Sequence, residues 1–410
     1  MRKRVGGILL GILCTAALTG CDLAGKTDLE DTNPPKVELV VWGAEEDTEL
    51  MNQIIQDFQT NYQGEADFQI SFEVQGESQC KDVLLGGLED GADVFTFADD
   101  QLNALAAAGA LDPIENANEI KDRNLSNTVE AATVNHQLYA YPLTADNGYF
   151  LYYNKQYITD EQAKTLDGIL EAAVANGKLF VMDWSSAWYV YSFFGNTGLQ
   201  VGLNDDGITN YCTWNQTDGE IQGIDVARAM LRIAKNSGFA SCTDEEFLEG
   251  VKDGSVIAGV SGVWNSVALK EVWGENIGAA KLPTYSCNER QIQMASFSGC
   301  KLIGVNAYSE HRKWAAKLAE WITNEENQRL RFEIRGQGPS NIEVADSEEI
   351  RKSLAIAALL EQSEFSQLQR VGGKFWDPVS KFAANMAAGN PSGQNLQEQL
   401  DEMVEGVSAR

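Results

Sequence analysis

Along residues 37–110 the spacing of apolar positions changes from every residue or every second one to every third or fourth, and then changes back. Val37, Leu39, Val40, Val41 and Trp42 make a short β-rich run. Leu50, Met51, Ile54, Ile55, Phe58 and Tyr62 then fall on one face at helical spacing. Phe68, Ile70, Phe72 and Val74 alternate with polar residues as a strand does, 92–97 is another strand, and an Ala-rich helix runs from about 101 to 110. This βαβα rhythm predicts an α/β fold with a parallel sheet covered by helices on both faces.

A second series follows. Strands are expected at 149–153, 178–182, 256–260 and 277–282, with helices at 160–175, 184–194, 224–236 and 243–252. The last third adds a strand at 301–306 and helices at 311–326, 348–362 and 378–388, and no internal repeat is visible. Roughly 370 residues of such pattern exceed what one core usually holds, so two lobes are expected.

The N-terminus reads differently. Arg2, Lys3 and Arg4 precede an apolar stretch, 5–18, too short to count as a mature membrane span, which ends in Leu18-Thr19-Gly20-Cys21, a bacterial lipobox. Residues 1–20 are therefore expected to be a signal peptide, with Cys21 as the lipid-bearing first residue on the extracytoplasmic face of the membrane. A diacylated cysteine with an amide-linked chain holds more firmly than the single chain that binds marginally. Residues 21–36, polar and closing on Pro34-Pro35, read as a flexible tether.

Charge narrows the partners. The chain carries 31 basic and 60 acidic residues, and three of the basic ones leave with residues 1–20, so the mature chain stands at −32. Nucleic acid needs basic surface and is excluded as a partner; the acidity serves solubility. Beyond Cys14 and Cys21 there remain Cys80, Cys212, Cys242, Cys287 and Cys300, an odd number, with Cys212–Cys242 and Cys287–Cys300 as conceivable pairings. With no CxxC and only His136 and His311, neither a zinc site nor another cofactor is expected. There is no GxSxG, Walker loop or HExxH. Only a carboxylate pair for glycoside hydrolysis could hide among so many acids.

Several segments, in order, resemble the bacterial extracellular solute-binding proteins of the maltose/oligosaccharide type. They are Trp42-Gly43-Ala44-Glu45-Glu46, the stretch 92–113 (ADVFTFADD…GALDP), 136–155 (HQLYAYPLTADNGYFLYYNK), 259–265 (GVSGVWN), Leu282-Pro283, and 296–341 with Gly338-Pro339-Ser340. The resemblance implies a periplasmic-binding-protein-like (type II) fold, two Rossmann-like lobes around a ligand cleft. It places an N-terminal lobe at 37–145 with 286–338 and a C-terminal lobe at 146–285 with 339–410. Hinges are expected near 144–147, 283–289 and 336–341. Ligands of open α/β sheets sit beyond the carboxyl ends of the strands, which agrees.

The resemblance puts sugar-stacking positions on Phe97, Trp188, Trp264 and Trp376, four rings in a chain that is 9% aromatic. An aromatic face covers the C–H face of a pyranose. Phe375 competes with Trp376 for that role, and Trp184 and Tyr189 compete with Trp188. Polar contacts are implied at Glu45, Glu46, Asp99, Asp100, Asp146 and Asn147, whose other use would be helix capping. Gln101 departs from the basic residue usual after the acidic turn in maltodextrin binders. Trp314 and Trp321, seven apart, read as a core stripe, Trp42 and Trp273 as packed residues, and Trp214 has no assigned place.

The resemblance thus implies a lipid-anchored, monomeric, non-enzymatic binding component of an ABC importer. It would hand oligosaccharides, maltodextrins first and xylo-, galacto- or other gluco-oligosaccharides next, to permease subunits. A surface glycosidase and a binder of peptides, polyamines or ions are the competing classes.

Overall fold

The computed structural model describes residues 34–204 and 206–409. The expected signal peptide, Cys21 and most of the tether lie outside the described residues.

Two open five-stranded sheets organise the chain. The first runs Asp67–Val74, Lys36–Gly43, Val94–Ala98, Lys301–Val305, Tyr141–Pro142. Its first three strands are parallel, and Lys301–Val305 lies antiparallel to Val94–Ala98. The second runs Phe239–Ala240, Leu179–Val181, Val256–Ser261, Phe150–Asn154, Ile277–Ala280, and again the first three are parallel, with Phe150–Asn154 antiparallel to both its neighbours. Both sheets are therefore mixed, where the βαβα rhythm predicted parallel ones. In the first, the reversed strand Lys301–Val305 enters from the connection between lobes rather than from a crossover helix.

Each sheet has its own core. The helix Thr48–Asn61 buries Leu50, Met51, Ile54, Ile55 and Phe58 against the first. Trp314 and Trp321 pack at its edge, where Trp314 meets Phe68 edge-on at 4.8 Å. In the second, Trp214 is fully buried and stacked on Phe194 at 4.1 Å, and Trp273 is buried. Cys80, Cys212, Cys242, Cys287 and Cys300 carry free thiols.

Between the lobes lies a three-stranded sheet, Ser366–Leu368, Ser296–Gly299, Asn147–Gly148. Two expectations change here. Residues 286–295, assigned to the N-terminal lobe, belong with the other one, because Cys287, Met294 and Ala295 sit in its core. The middle hinge at 283–289 is instead a hairpin, Thr284–Cys287 with Arg290–Gln293, and the chain crosses at 296–300. In the other direction, Ser340 is still bound to the first lobe, its hydroxyl donating to Asn124 at 2.8 Å.

Candidate ligand cleft

Three parallel strands of each sheet end facing one cavity of about 610 Å³. On the first lobe, Lys36–Gly43 leads to Ala44, Glu46 and Asp47. Asp67–Val74 leads to Glu77 and Lys81, and Val94–Ala98 to Asp100 and Gln101. On the second, Leu179–Val181 leads to Ser186 and Trp188, Phe239–Ala240 to Asp244, and Val256–Ser261 to Trp264. Trp376, which opens the helix Trp376–Ala387, and Gln369 complete that side, and Asn147 lies at the hinge. Open sheets gather binding residues in this way, because the turns beyond the carboxyl ends are where side chains leave the layered core.

The two walls differ. Trp188, Trp264 and Trp376 all stand on the second lobe, half-buried, with the rings of Trp188 and Trp264 5.8 Å apart and inclined by 33°. Trp188 is backed by Tyr149 at 4.6 Å, and the Tyr149 hydroxyl donates to the Trp188 carbonyl at 2.7 Å. Asp244 holds Trp264: it accepts from the indole Nε1 at 3.1 Å, from Ser261 at 2.8 Å and from Tyr189 at 3.1 Å. Burial pushes the Asp244 carboxyl upward in pKa, and those three donors oppose the shift. Phe375, Trp184 and Tyr189, the competitors for the stacking positions, are buried in the core.

The facing wall is polar and braced by ion pairs. Lys301 meets Glu77 at 2.7 Å, and Arg335 meets Asp47 at 3.0 Å. Arg331, wholly buried, also pairs with Asp47. Burial works against the Asp47 charge, but Arg331, Lys301 and Arg335 prevail and hold its pKa at about 2. Burial and the neighbouring Asp99 push Asp100 up to about 7.

Four expected contacts are not in the cleft lining. Phe97 is wholly buried in the first core, 5.6 Å from Phe95, because Val94–Ala98 is a central strand and only residues beyond Ala98 emerge. Asp99 is occupied in tying strands: it accepts from the Cys300 amide at 3.1 Å and pairs with Arg370 at 3.0 Å. Asp146 is buried behind the hinge, accepting from the Gly338 amide, and lines a separate cavity of about 320 Å³. Glu45 points to solvent from the turn that starts the first helix. Glu46, Asp100, Asn147, Trp188, Trp264 and Trp376 do line the cleft.

Glu77, Lys81, Lys301, Asp244, Arg335 and Gln369 line it too and were not anticipated. Strand-end position was the available signal for Glu77 and Asp244. Lys301 and Arg335 come to the cleft by way of the return crossing, which local pattern does not reveal. Among the described residues no group of His, Cys, Asp and Glu is placed to hold a metal ion, and no helix is long and apolar enough to cross a membrane.

Two lobes, each offering strand ends to a shared cleft, one wall aromatic and the other polar, define a protein that captures a small molecule between its halves. The family model of the bacterial extracellular solute-binding proteins matches residues 53–358, and the chain belongs to that family. A galactooligosaccharide-binding protein of Bacillus subtilis is 26% identical over 424 residues, covering 99% of this chain and 97% of that protein. A structure solved with acarbose superposes with a TM-score of 0.81 at 25% identity, over 91% of this chain and 99% of that one. A maltodextrin-binding protein from L. casei, solved without ligand, has the same fold: TM-score 0.74, 23% identity, 92% and 100% covered.

Proposed function

We propose that the chain is the extracytoplasmic binding component of an oligosaccharide importer, held to the membrane by lipid on Cys21, delivering its cargo to ABC permease subunits and catalysing nothing itself. The observation that carries this reading is the division of the cleft. Three indole faces on one wall suit the flat C–H surfaces of successive sugar rings, and the carboxylates and amides opposite suit their hydroxyls. Relatives named for galactooligosaccharide and maltodextrin binding support it. Ligand touches both walls only when the cleft is shut, so binding shifts the lobes toward closure.

Calorimetry against malto- and galacto-oligosaccharides, together with peptides, polyamines and metal ions, tests the reading. An oligosaccharide is expected to bind at about micromolar Kd, near −8 kcal/mol. Radiolabelled sugar incubated with the protein should come back intact. Binding only to a non-sugar, or cleavage of the sugar, would overturn it.

A further inference from the structure

Arg370 reaches from the second lobe to the first. Its Nη1 donates to Asp99 Oδ2 at 3.0 Å, the arginine partly exposed and the aspartate wholly buried. Asp99 is fixed on its own side. Its amide donates to the Cys300 carbonyl at 3.1 Å, and its Oδ1 accepts from the Cys300 amide at 3.1 Å. The carboxylate can come so near the crossing because residue 299 is glycine, where an added Cβ would lie 2.3 Å from Oδ1. Burial pushes the Asp99 carboxyl upward in pKa, and Arg370 is the strongest influence opposing that shift.

The other end of the pair is held as firmly. Gln369 donates its amide to the Ser298 carbonyl at 3.0 Å, and Val371 is buried in the second core. Gly372 is clasped by Asn210, which accepts from its amide at 2.6 Å and donates to its carbonyl at 3.3 Å. This same stretch brings Gln369 and Trp376 to the cleft, while Arg370 itself stands outside the lining.

We propose that Arg370 is a positioning residue for oligosaccharide binding: through Asp99 it ties the segment carrying Gln369 and Trp376 to the first lobe at the base of the cleft, so that the two walls are in register before the sugar arrives. The inference rests on the oligosaccharide reading above. A cleft whose floor is already ordered loses less freedom when ligand draws it shut. A contact between lobes also biases the equilibrium between open and closed forms, on which affinity depends.

Arg370→Met alone would strand a buried carboxylate and harm folding for a reason unrelated to the cleft. The test is therefore Arg370→Met combined with Asp99→Asn, since the asparagine oxygen still accepts from the Cys300 amide and no charge is left unpaired. The probe is whichever malto- or galacto-oligosaccharide binds the wild type tightest. Calorimetry should show the double variant binding it at least about fivefold more weakly, the size of effect seen for residues that couple to a site without touching ligand. The melting temperature of the unliganded double variant should stay close to the wild type's. Arg370→Lys, which keeps a cation at Asp99, should recover most of the affinity. A purely structural role would be relieved in the double variant, so wild-type affinity there overturns the inference while the oligosaccharide reading stands. Should the double variant also melt early, Arg370→Lys decides: affinity near the wild type's supports the tie, and a loss as large as the double variant's overturns it. If the wild type binds no oligosaccharide, both fall.

Discussion

The Trp264 ring packs against Gly262, where an added Cβ would come within 1.9 Å of it. The backbone there is extended, at φ −102°, so alanine would meet no strain of its own. The cost falls on the ring, which must leave both its seat and its bond to Asp244. Gly262→Ala should therefore weaken oligosaccharide binding at least about tenfold, as loss of one well-placed aromatic contact does, and calorimetry checks it. Trp264→Ala should match it, and unchanged affinity in both would remove Trp264 from the binding surface. The tryptophans at the cleft were legible through the family resemblance, and the structure sets each beyond a strand end or at the start of a helix. Phe97 was misread for the converse reason. It lies inside the strand, where both faces of the sheet are covered, and a ring there is core whatever its chemistry.

Helices and connections were legible where period was strong and poorly legible where polar caps interrupt it. The expected helix over 311–326 ends at Ile322, and a separate helix, Glu325–Arg335, starts after Asn324, whose side chain accepts from the Asn327 amide. The expected helix over 348–362 breaks likewise at Ser353, which caps Leu354–Ser363. Strands of two to four residues at the crossing, such as Asn147–Gly148 and Ser296–Gly299, are too short to show a period at all. The overlooked helix Glu325–Arg335 matters, because it brings Arg331 and Arg335 under the turn that carries Asp47. Arg331→Met would leave the buried Asp47 carboxylate without its fully buried partner, with only the partly exposed Arg335 and the more distant Lys301 ammonium to balance it, so stability should fall by about 3–5 kcal/mol in urea unfolding. The pH profile should change with it. Asp47 titrates at about 2 in the folded wild type, below its ordinary value of 3.8, so the pair stabilises the fold above that ordinary value. The gain is lost as pH falls from about 4 toward 2, and Arg331→Met should flatten that limb. A loss under about 1 kcal/mol would mean that Arg335 and Lys301 suffice.

At the scale of the molecule, acidity and cargo are separate matters. The whole chain carries a formal charge of −29, and the cleft shares that excess, since Glu46 and Asp244, with the half-ionised Asp100, face it beyond the acids matched to Lys81, Lys301 and Arg335. Such a field would draw in a polyamine or a basic peptide and hold it more weakly as salt rises, because exposed charges more than about 10 Å apart are screened at 0.1 M. A neutral oligosaccharide gives that field no net charge to act on. On the proposed reading its affinity would come from indole faces and short hydrogen bonds inside a closing cleft, which salt hardly reaches. The dissociation constant for the best oligosaccharide should therefore change by less than about twofold between 0.05 and 0.5 M sodium chloride, the screening length shrinking severalfold meanwhile. Calorimetry across that range separates the two kinds of cargo whatever the linkage or length of the sugar. A steep loss of affinity with salt would show that the acidic field itself holds the ligand, and the aromatic wall would then need another purpose.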